Sequence, residues 1–520
     1  MPVQVTNPIT DLDYPDPDII RVDDTYYMVS TTMHFMPGCE ILRSYDLSRW
    51  EHAAYVYDRL DSTEGQRLEG NNHIYGKGMW AACLRYHKGI FYICFVCNDT
   101  RKTYLYTSAA IEGPWEKHFV EGFYHDCSLL FDDDDKIYIA YGNRDIYITQ
   151  LKTDLSGPLE GGLHRLVVSD SGNPYLGYEG THFYKINGKY YLFFIHSLSD
   201  RWMRAEACFI SDSLEGDFTG GDVLVDDMGF PGRGAAQGGI VDTPEGNWYS
   251  ILFQDSGAVG RIPVLVPVTW EGDRPVFGED GKAPRTLTVI SQRPDHVYQP
   301  LVQSDDFKGT TANAAEQRLH YGCFGLKSSW QFNHEPDLSL LRLDVKNGIL
   351  WVSTDKQCDD LLLAKNMLTQ RMLSPGCSGE VSIDVSHLKE GDYAGICALQ
   401  GCYGMAAVTK RNGQNRIVMK GVDLSPSSGA AGDTKASEWE AVTFAGNTVK
   451  LKVEVCFDGM KDESVFFYHD GEEWRKIGEP HKLYFRLDHF TGCRFGLFVY
   501  STQETGGRAG FREFIYSRGQ

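Results

Sequence analysis

The sequence predicts an all-β protein, a five-bladed β-propeller followed by a β-sandwich. A turn-like cluster, an aromatic or apolar residue, a tyrosine and an apolar run recur five times, as DDTYYMVS, KGIFYICF, DDKIYIAY, NGKYYLFF and EGNWYSIL. The tyrosines (Tyr27, Tyr92, Tyr138, Tyr191, Tyr249) stand 65, 46, 53 and 58 residues apart. A period of that size, built from strand-like units, is a repeat architecture. No long amphipathic helical window interrupts residues 14 to about 295, and from about Asp305 the tyrosine repeat stops while period-two alternation continues.

Each repeat has room for a four-stranded sheet, and five such sheets closed around an axis leave few strand edges open. Turn formers introduce the tyrosine strands: Asp23-Asp24, Lys88-Gly89, Asn187-Gly188 and Glu245-Gly246. Asp132 to Asp135 occupy the same place in the third repeat. That register makes them a solvated hairpin turn, since the spaced ligands of a calcium loop are missing. The propeller spans residues 1–298, and the Pro-containing stretch ISQRPDHVYQPLVQSDDF leads out of it. The sandwich spans 305–520, with LSLLRLDV, GILWVSTD, GEVSIDVS, TVKLKVEVCF, ESVFFYHD and CRFGLFVY as strands and Pro426–Trp439 as a polar loop.

A chain of 520 residues is long enough for two cores. Fifty basic against 71 acidic residues give a formal charge of −21, a surface that repels phosphate backbones and anionic lipid. No nucleic acid and no membrane partner are expected; a neutral substrate fits, although acidity also serves solubility alone. The N-terminus has neither basic nor apolar segments of a signal peptide. The 13 cysteines lie mostly in apolar strand-like runs, as buried thiols do in a reducing compartment, so a cytoplasmic location is expected. Cys94 and Cys97, three apart on one strand, face opposite sides rather than a shared metal. Homo-oligomerisation is left open.

Stepping back 11 or 12 residues from each tyrosine reaches Asp16, Trp80, Asp126, Glu179 and Gln237. In a propeller these positions are equivalent and sit on the strands lining the central channel. Singly, each acid has a plain reading: a turn aspartate beside proline, a strand-start cap, a surface glutamate. Their shared register argues for convergence. Like charges around one channel raise at least one pKa, and a donor and an acceptor drawn from similar groups are what glycoside hydrolysis uses. Pro15 and Pro17 predict an extended, rigid chain at Asp16. Trp80 offers a face for a sugar ring or a core side chain, Arg261 a donor to a hydroxyl or carboxylate, and Gln237 a hydrogen-bonding group at the channel centre.

DYPDPDII, GMWAACLRYH, YHDCSLLF, GYEGTHFYKINGKYYLFF and GRIPVLVPVTW together resemble glycoside hydrolase family 43, in its two-domain β-xylosidase and α-L-arabinofuranosidase branch. SSWQFNHEPD, MLTQRM, EGDYAGICALQGCYG and CRFGLFVYS are similar to that branch's C-terminal sandwich. The resemblance implies inverting, exo-acting hydrolysis of short xylo- or arabino-oligosaccharides, with no cofactor required for the chemistry. It implies Asp16 as general base, Glu179 as general acid, and Asp126 as the acid that orients the donor and tunes its pKa. Trp80 and Arg261 match substrate-binding positions. Two positions depart from the pattern. Gln237 stands where several family xylosidases carry a histidine, often near a central calcium ion; a glutamine can still offer its carbonyl oxygen to such an ion near the channel centre. Met33 stands where they carry an aromatic, with Phe35 nearby as a substitute wall. A sandwich loop helps close the pocket in the family, and Thr502–Gly510 is the candidate. The competing readings are a non-catalytic carbohydrate-binding propeller, which would be expected to lack a channel acid, and a retaining fructan hydrolase on a related propeller.

Overall fold

The structure, a computed structural model, describes residues 1–230, 232–309, 325–422, 436–486 and 488–519. Five antiparallel sheets surround an axis. The first strands of the blades are Asp18–Val22, Met79–His87, Ser128–Phe131, Glu179–Ile186 and, interrupted, Ala235–Ala236 with Ile240–Asp242. These lie innermost. The five repeat tyrosines all fall on second strands: Thr25–Ser30, Ile90–Cys97, Ile137–Asn143, Lys189–Ser197 and Trp248–Asp255. The Asp132–Asp135 segment is a hairpin turn, closed by Asp132 N–H to Lys136 O at 2.9 Å. Asp132 itself is buried, accepting from Tyr190 Oη at 2.7 Å and pairing with Lys185.

The ring closes without a shared blade. Pro2–Thr6 pairs with Thr286–Ile290 in a separate two-stranded ribbon, and Arg21 of the first blade meets Asp242 of the fifth at 2.6 Å. The channel is tied by a polar hub that uses all five inner strands. Asp18 accepts from Arg85 Nη1 and Leu84 N–H, both at 2.7 Å, and its other oxygen lies 3.0 Å from His182 Nδ1. Arg85 goes on to Ser128 Oγ at 2.6 Å and Leu129 O at 2.9 Å. Its guanidinium lies over Tyr184, whose hydroxyl accepts from Ile240 N–H at 3.1 Å. Buried donors of the hub are thus answered across blades, as burial demands.

The second domain is a two-sheet sandwich. One sheet runs, edge to edge, through Ser437–Phe444, Gln414–Gly421, Gly404–Arg411, Asp392–Leu399, Arg494–Ser501, Leu368–Arg371 and Gln331–Asn333. The other runs through Leu341–Asp344, Ile349–Ser353, Arg508–Arg518, Gly376–Asp384, Thr448–Cys456, Glu463–His469 and Trp474–Lys482. Alternating inward residues such as Val381, Ile383, Leu451, Val453, Leu497 and Val499 fill the space between them. Of the polar loop expected at Pro426–Trp439, residues 426–435 lie outside the described residues; Ser437–Trp439 already belong to an edge strand.

The first sheet has an eighth strand, and it comes from the propeller. Phe35–Met36 pairs antiparallel with Phe332 and Asn333. Around it the two cores merge: Tyr14, Ile19 and Ile262 of the propeller share one apolar cluster with Leu368, Met372 and Leu373 of the sandwich. Glu40 and Arg371 form a buried pair across the junction at 2.7 Å. Among the described residues no helix is long and apolar enough to cross a membrane.

Candidate active site

A pocket at one end of the channel is lined by Asp16, Trp80, Asp126, Glu179 and Gln237, the five residues reached by counting back from the tyrosines, together with Met33 and Arg261. Ala81, Leu176, Trp202, Arg204 and Phe490 complete its wall. The local backbone explains the convergence. Asp16, Asp126 and Gln237 have φ of +52°, +48° and +54°, a left-handed conformation that is uncommon for residues with a Cβ. Glu179 precedes Gly180 at φ +62°, and strand pairing slips beside both Glu179 and Trp80. A bulge of this kind re-aims a side chain out of the ladder. Each of the five residues therefore stands where its inner strand begins, slips or is interrupted, and all five side chains line the one pocket.

Asp16 departs from the extended chain that its flanking prolines predict. The positive φ is held by Ser30 Oγ and Thr31 N–H, which donate to Pro15 O at 2.6 and 3.1 Å. Its carboxylate accepts from Thr31 Oγ1 and Arg261 Nη1, both at 2.6 Å. Arg261 is 2% exposed and sits among Phe253, Phe485 and Phe490, and its Nη2 donates to Phe490 O at 3.1 Å. Asp13 fixes the same corner, accepting from Arg261 N–H at 2.7 Å and Gly492 N–H at 2.8 Å.

Asp126 and Glu179 flank His125. Its Nε2 lies 3.6 Å from Asp126 Oδ2 and 3.7 Å from Glu179 Oε2, beyond hydrogen-bonding range but well within Coulombic reach. Burial opposes charge on this imidazole, yet Asp126 and then Glu179 overcome it and push the pKa up to about 9. Asp126 is raised from the usual aspartate range, chiefly by burial, with His125 opposing and Glu179 and Asp16 adding to the rise. Its Oδ2 accepts from Gly180 N–H at 3.1 Å, and Glu179 accepts from the amide of Asn143. Gly180 is needed for space as well as for φ: a Cβ there would lie 2.6 Å from Cδ of Gln237.

Two metal positions can be tested on these donors. One atom each from His125, Asp126 and Glu179 lie within 4.8 Å of one another, so a cation held there would have to displace the proton that the two carboxylates favour on the imidazole. At the channel centre, the Asp18 carboxylate is already neutralised by Arg85, and both of its oxygens are engaged. Calcium takes six to eight oxygens, and a buried guanidinium in that place repels a second cation. The hub fits Arg85, not a calcium ion.

Phe35 is not among the pocket's lining residues. It is 1% exposed, its strand pairs with the sandwich, and Arg494 lies 3.5 Å above its ring. Met33 alone of that segment lines the pocket. Nor does Thr502–Gly510 supply a lining residue: it folds back on its own domain, through Thr502 N–H to Gly391 O and Gly506 N–H to Thr354 O. The sandwich reaches the pocket through Phe490, whose ring stacks on Trp80 at 5.8 Å and 15°. Counting missed His125, Trp202, Arg204 and Phe490. Of these only His125 carried a signal, as the neighbour of Asp126 in YHDCSLLF.

Residues 5–275 match the model of glycosyl hydrolases family 43, and residues 324–517 match the β-xylosidase C-terminal concanavalin A-like domain. A putative β-xylosidase of Xylanibacter ruminicola is 28% identical over 78% of this chain and 75% of its own length. A non-reducing end α-L-arabinofuranosidase of Bacteroides ovatus is 27% identical over 66% of this chain and 64% of its own. The solved structure of a bifunctional GH43-CE protein of Bacteroides eggerthii is 38% identical with a TM-score of 0.89, and covers all of this chain. This chain spans only 64% of that one. With one model matching the propeller and the other the sandwich, the chain belongs to glycosyl hydrolases family 43.

Proposed function

We propose that the protein is an exo-acting, inverting glycosidase that releases terminal β-D-xylosyl or α-L-arabinofuranosyl residues from short oligosaccharides. The observation that carries this reading is the meeting of Asp16, Asp126 and Glu179 in one pocket, in unlike surroundings. Asp16, gripped by Arg261 and Thr31, is the general base: it takes a proton from water as the oxygen attacks the anomeric carbon. Glu179 is the general acid and gives its proton to the departing glycosidic oxygen as that bond breaks. Asp126, joined to the Gly180 amide, holds Glu179 in place and adjusts its charge environment. The stacked rings of Phe490 and Trp80 support the exo mode, because they stand as one wall of the pocket that holds the three acids. Relatives named as a β-xylosidase and an α-L-arabinofuranosidase support both pentoses equally. Twelve described cysteines, all unpaired and ten of them buried, support a reducing compartment.

Glu179→Gln tests the assignment. Turnover of an unactivated oligosaccharide should fall about 10²–10⁴-fold, while a dinitrophenyl pentoside, whose leaving group needs no proton, should lose much less. Equal losses on both substrates would remove Glu179 from the acid role. Proton NMR of the first-formed sugar should show the inverted anomer; retention would overturn the mechanism.

A further inference from the structure

The pocket does not end at its mouth. Trp202 and Arg204 line it, and the same two residues line a groove of about 700 Å³ between the domains. One wall is propeller, with Arg233 and Asp255; the other is sandwich, with Asp462, Lys482 and Tyr484. The walls approach closely because of Gly257, where a Cβ would sit 2.7 Å from Asp462 Oδ2.

Two large aromatics stand open along this groove. Trp202 is 46% exposed and Tyr484 37%, on opposite walls. Large exposed rings rimmed by polar groups mark a surface that something covers, and an amphipathic ring suits a ligand with both C–H faces and hydroxyls. The junction residue is rigid: Arg204 Nε is 2.5 Å from Asp255 Oδ2, and its guanidinium lies over Phe253 and Trp202. The lining charges are mixed, with Arg204, Arg233 and Lys482 against Asp255 and Asp462, which suits a neutral polyhydroxyl chain better than a polyanion or a polycation. Lys482 and Tyr484 also border a further hollow on the sandwich beside Trp439, so the track continues away from the pocket.

We propose that this groove binds the remainder of the oligosaccharide, the part on the leaving-group side of the bond being cut, with Trp202 and Tyr484 as stacking platforms. The inference rests on the glycosidase reading of the pocket and adds that the enzyme selects for chain length beyond the terminal sugar.

The test uses the full chain with a nitrophenyl pentoside that it hydrolyses and matching unlabelled oligosaccharides of two and five residues. Wild-type kcat/KM should rise from the two-residue to the five-residue substrate. Tyr484→Ala should lower that five-to-two ratio about 3–10-fold, and Tyr484→Phe, which keeps the ring, should preserve it. A wild-type series flat with length, or a Tyr484→Ala variant that loses activity equally on both lengths, would overturn the groove. Failure to hydrolyse any nitrophenyl pentoside would instead overturn the reading of the pocket.

Discussion

Arg261 and Asp16 form a buried ion pair, Nη1 to Oδ1 at 2.6 Å, across the seam where the fifth blade meets the first. The same guanidinium reaches Phe490 O in the sandwich. One side chain thus fixes a carboxylate, a blade seam and the pocket's outer wall.

Replacing Arg261 should therefore cost chemistry before it costs folding. Lysine keeps the charge but cannot span both acceptors with a planar fork. Arg261→Lys is expected to lower kcat on a nitrophenyl pentoside about 10²-fold, the scale of an ångström's misplacement of a reacting group. Arg261→Met should also lower the thermal midpoint, since it strands a buried carboxylate. An unchanged kcat in the lysine variant would remove Arg261 from the positioning of Asp16.

His125 should set the alkaline side of the pH profile. Its cation favours the charged forms of the two carboxylates flanking it, so a neutral glutamine there lets a carboxylic acid hold its proton to higher pH. In His125→Gln the descending limb of kcat/KM should move upward, by about one pH unit at most. A limb that stays put, or moves down, would show that the imidazolium does not act on the pair.

The Asp18–Arg85 hub should make the propeller sensitive to acid. Burial raises the Asp18 carboxyl, but Arg85 and then His182 and the Leu84 amide outweigh it and hold the pKa at about 2. A pKa lower in the folded than in the unfolded chain gives stability that is present above about pH 4 and lost as pH falls toward 2, on the order of 2 kcal/mol. Asp18→Asn should be destabilised at pH 7 by about 3–5 kcal/mol, because Arg85 is left buried without its partner. Its urea midpoint should also change less than the wild type's between pH 4 and pH 3. An equal change in both proteins would place the acid sensitivity elsewhere, the Glu40–Arg371 pair being the next site, since Glu40 too is held at about 2.

The tyrosine repeat made the blades and the ring legible because both obey a local register: a hairpin, a second strand, and the pocket end of an inner strand at a fixed distance upstream. The slips and left-handed turns that aim the side chains left no local signal. Prolines beside Asp16 pointed to an extended chain, and only long-range bonds from Ser30, Thr31 and Arg261 hold its positive φ. Arg85 lies within GMWAACLRYH, but its partner Asp18 is 67 residues away and belongs to another blade. Phe490 lies in a sandwich segment with no repeat to count from, and no spacing could bring it to Trp80. Phe35 misled for a related reason: a two-residue strand is too short to show period-two alternation, so its engagement with a distant sheet left no pattern.

That short strand bears on how the chain could be divided. Phe35–Met36 lies inside the first blade yet completes the edge of the sandwich sheet, two residues from Met33 in the pocket wall. Cutting the connector would not release two independent modules, because each fragment would keep a raw edge shaped for the other. The sandwich is therefore neither a detachable accessory nor a graftable cap. The pocket wall is whole only where the two domains are docked, since Phe490 of the sandwich completes it and accepts from Arg261 of the propeller.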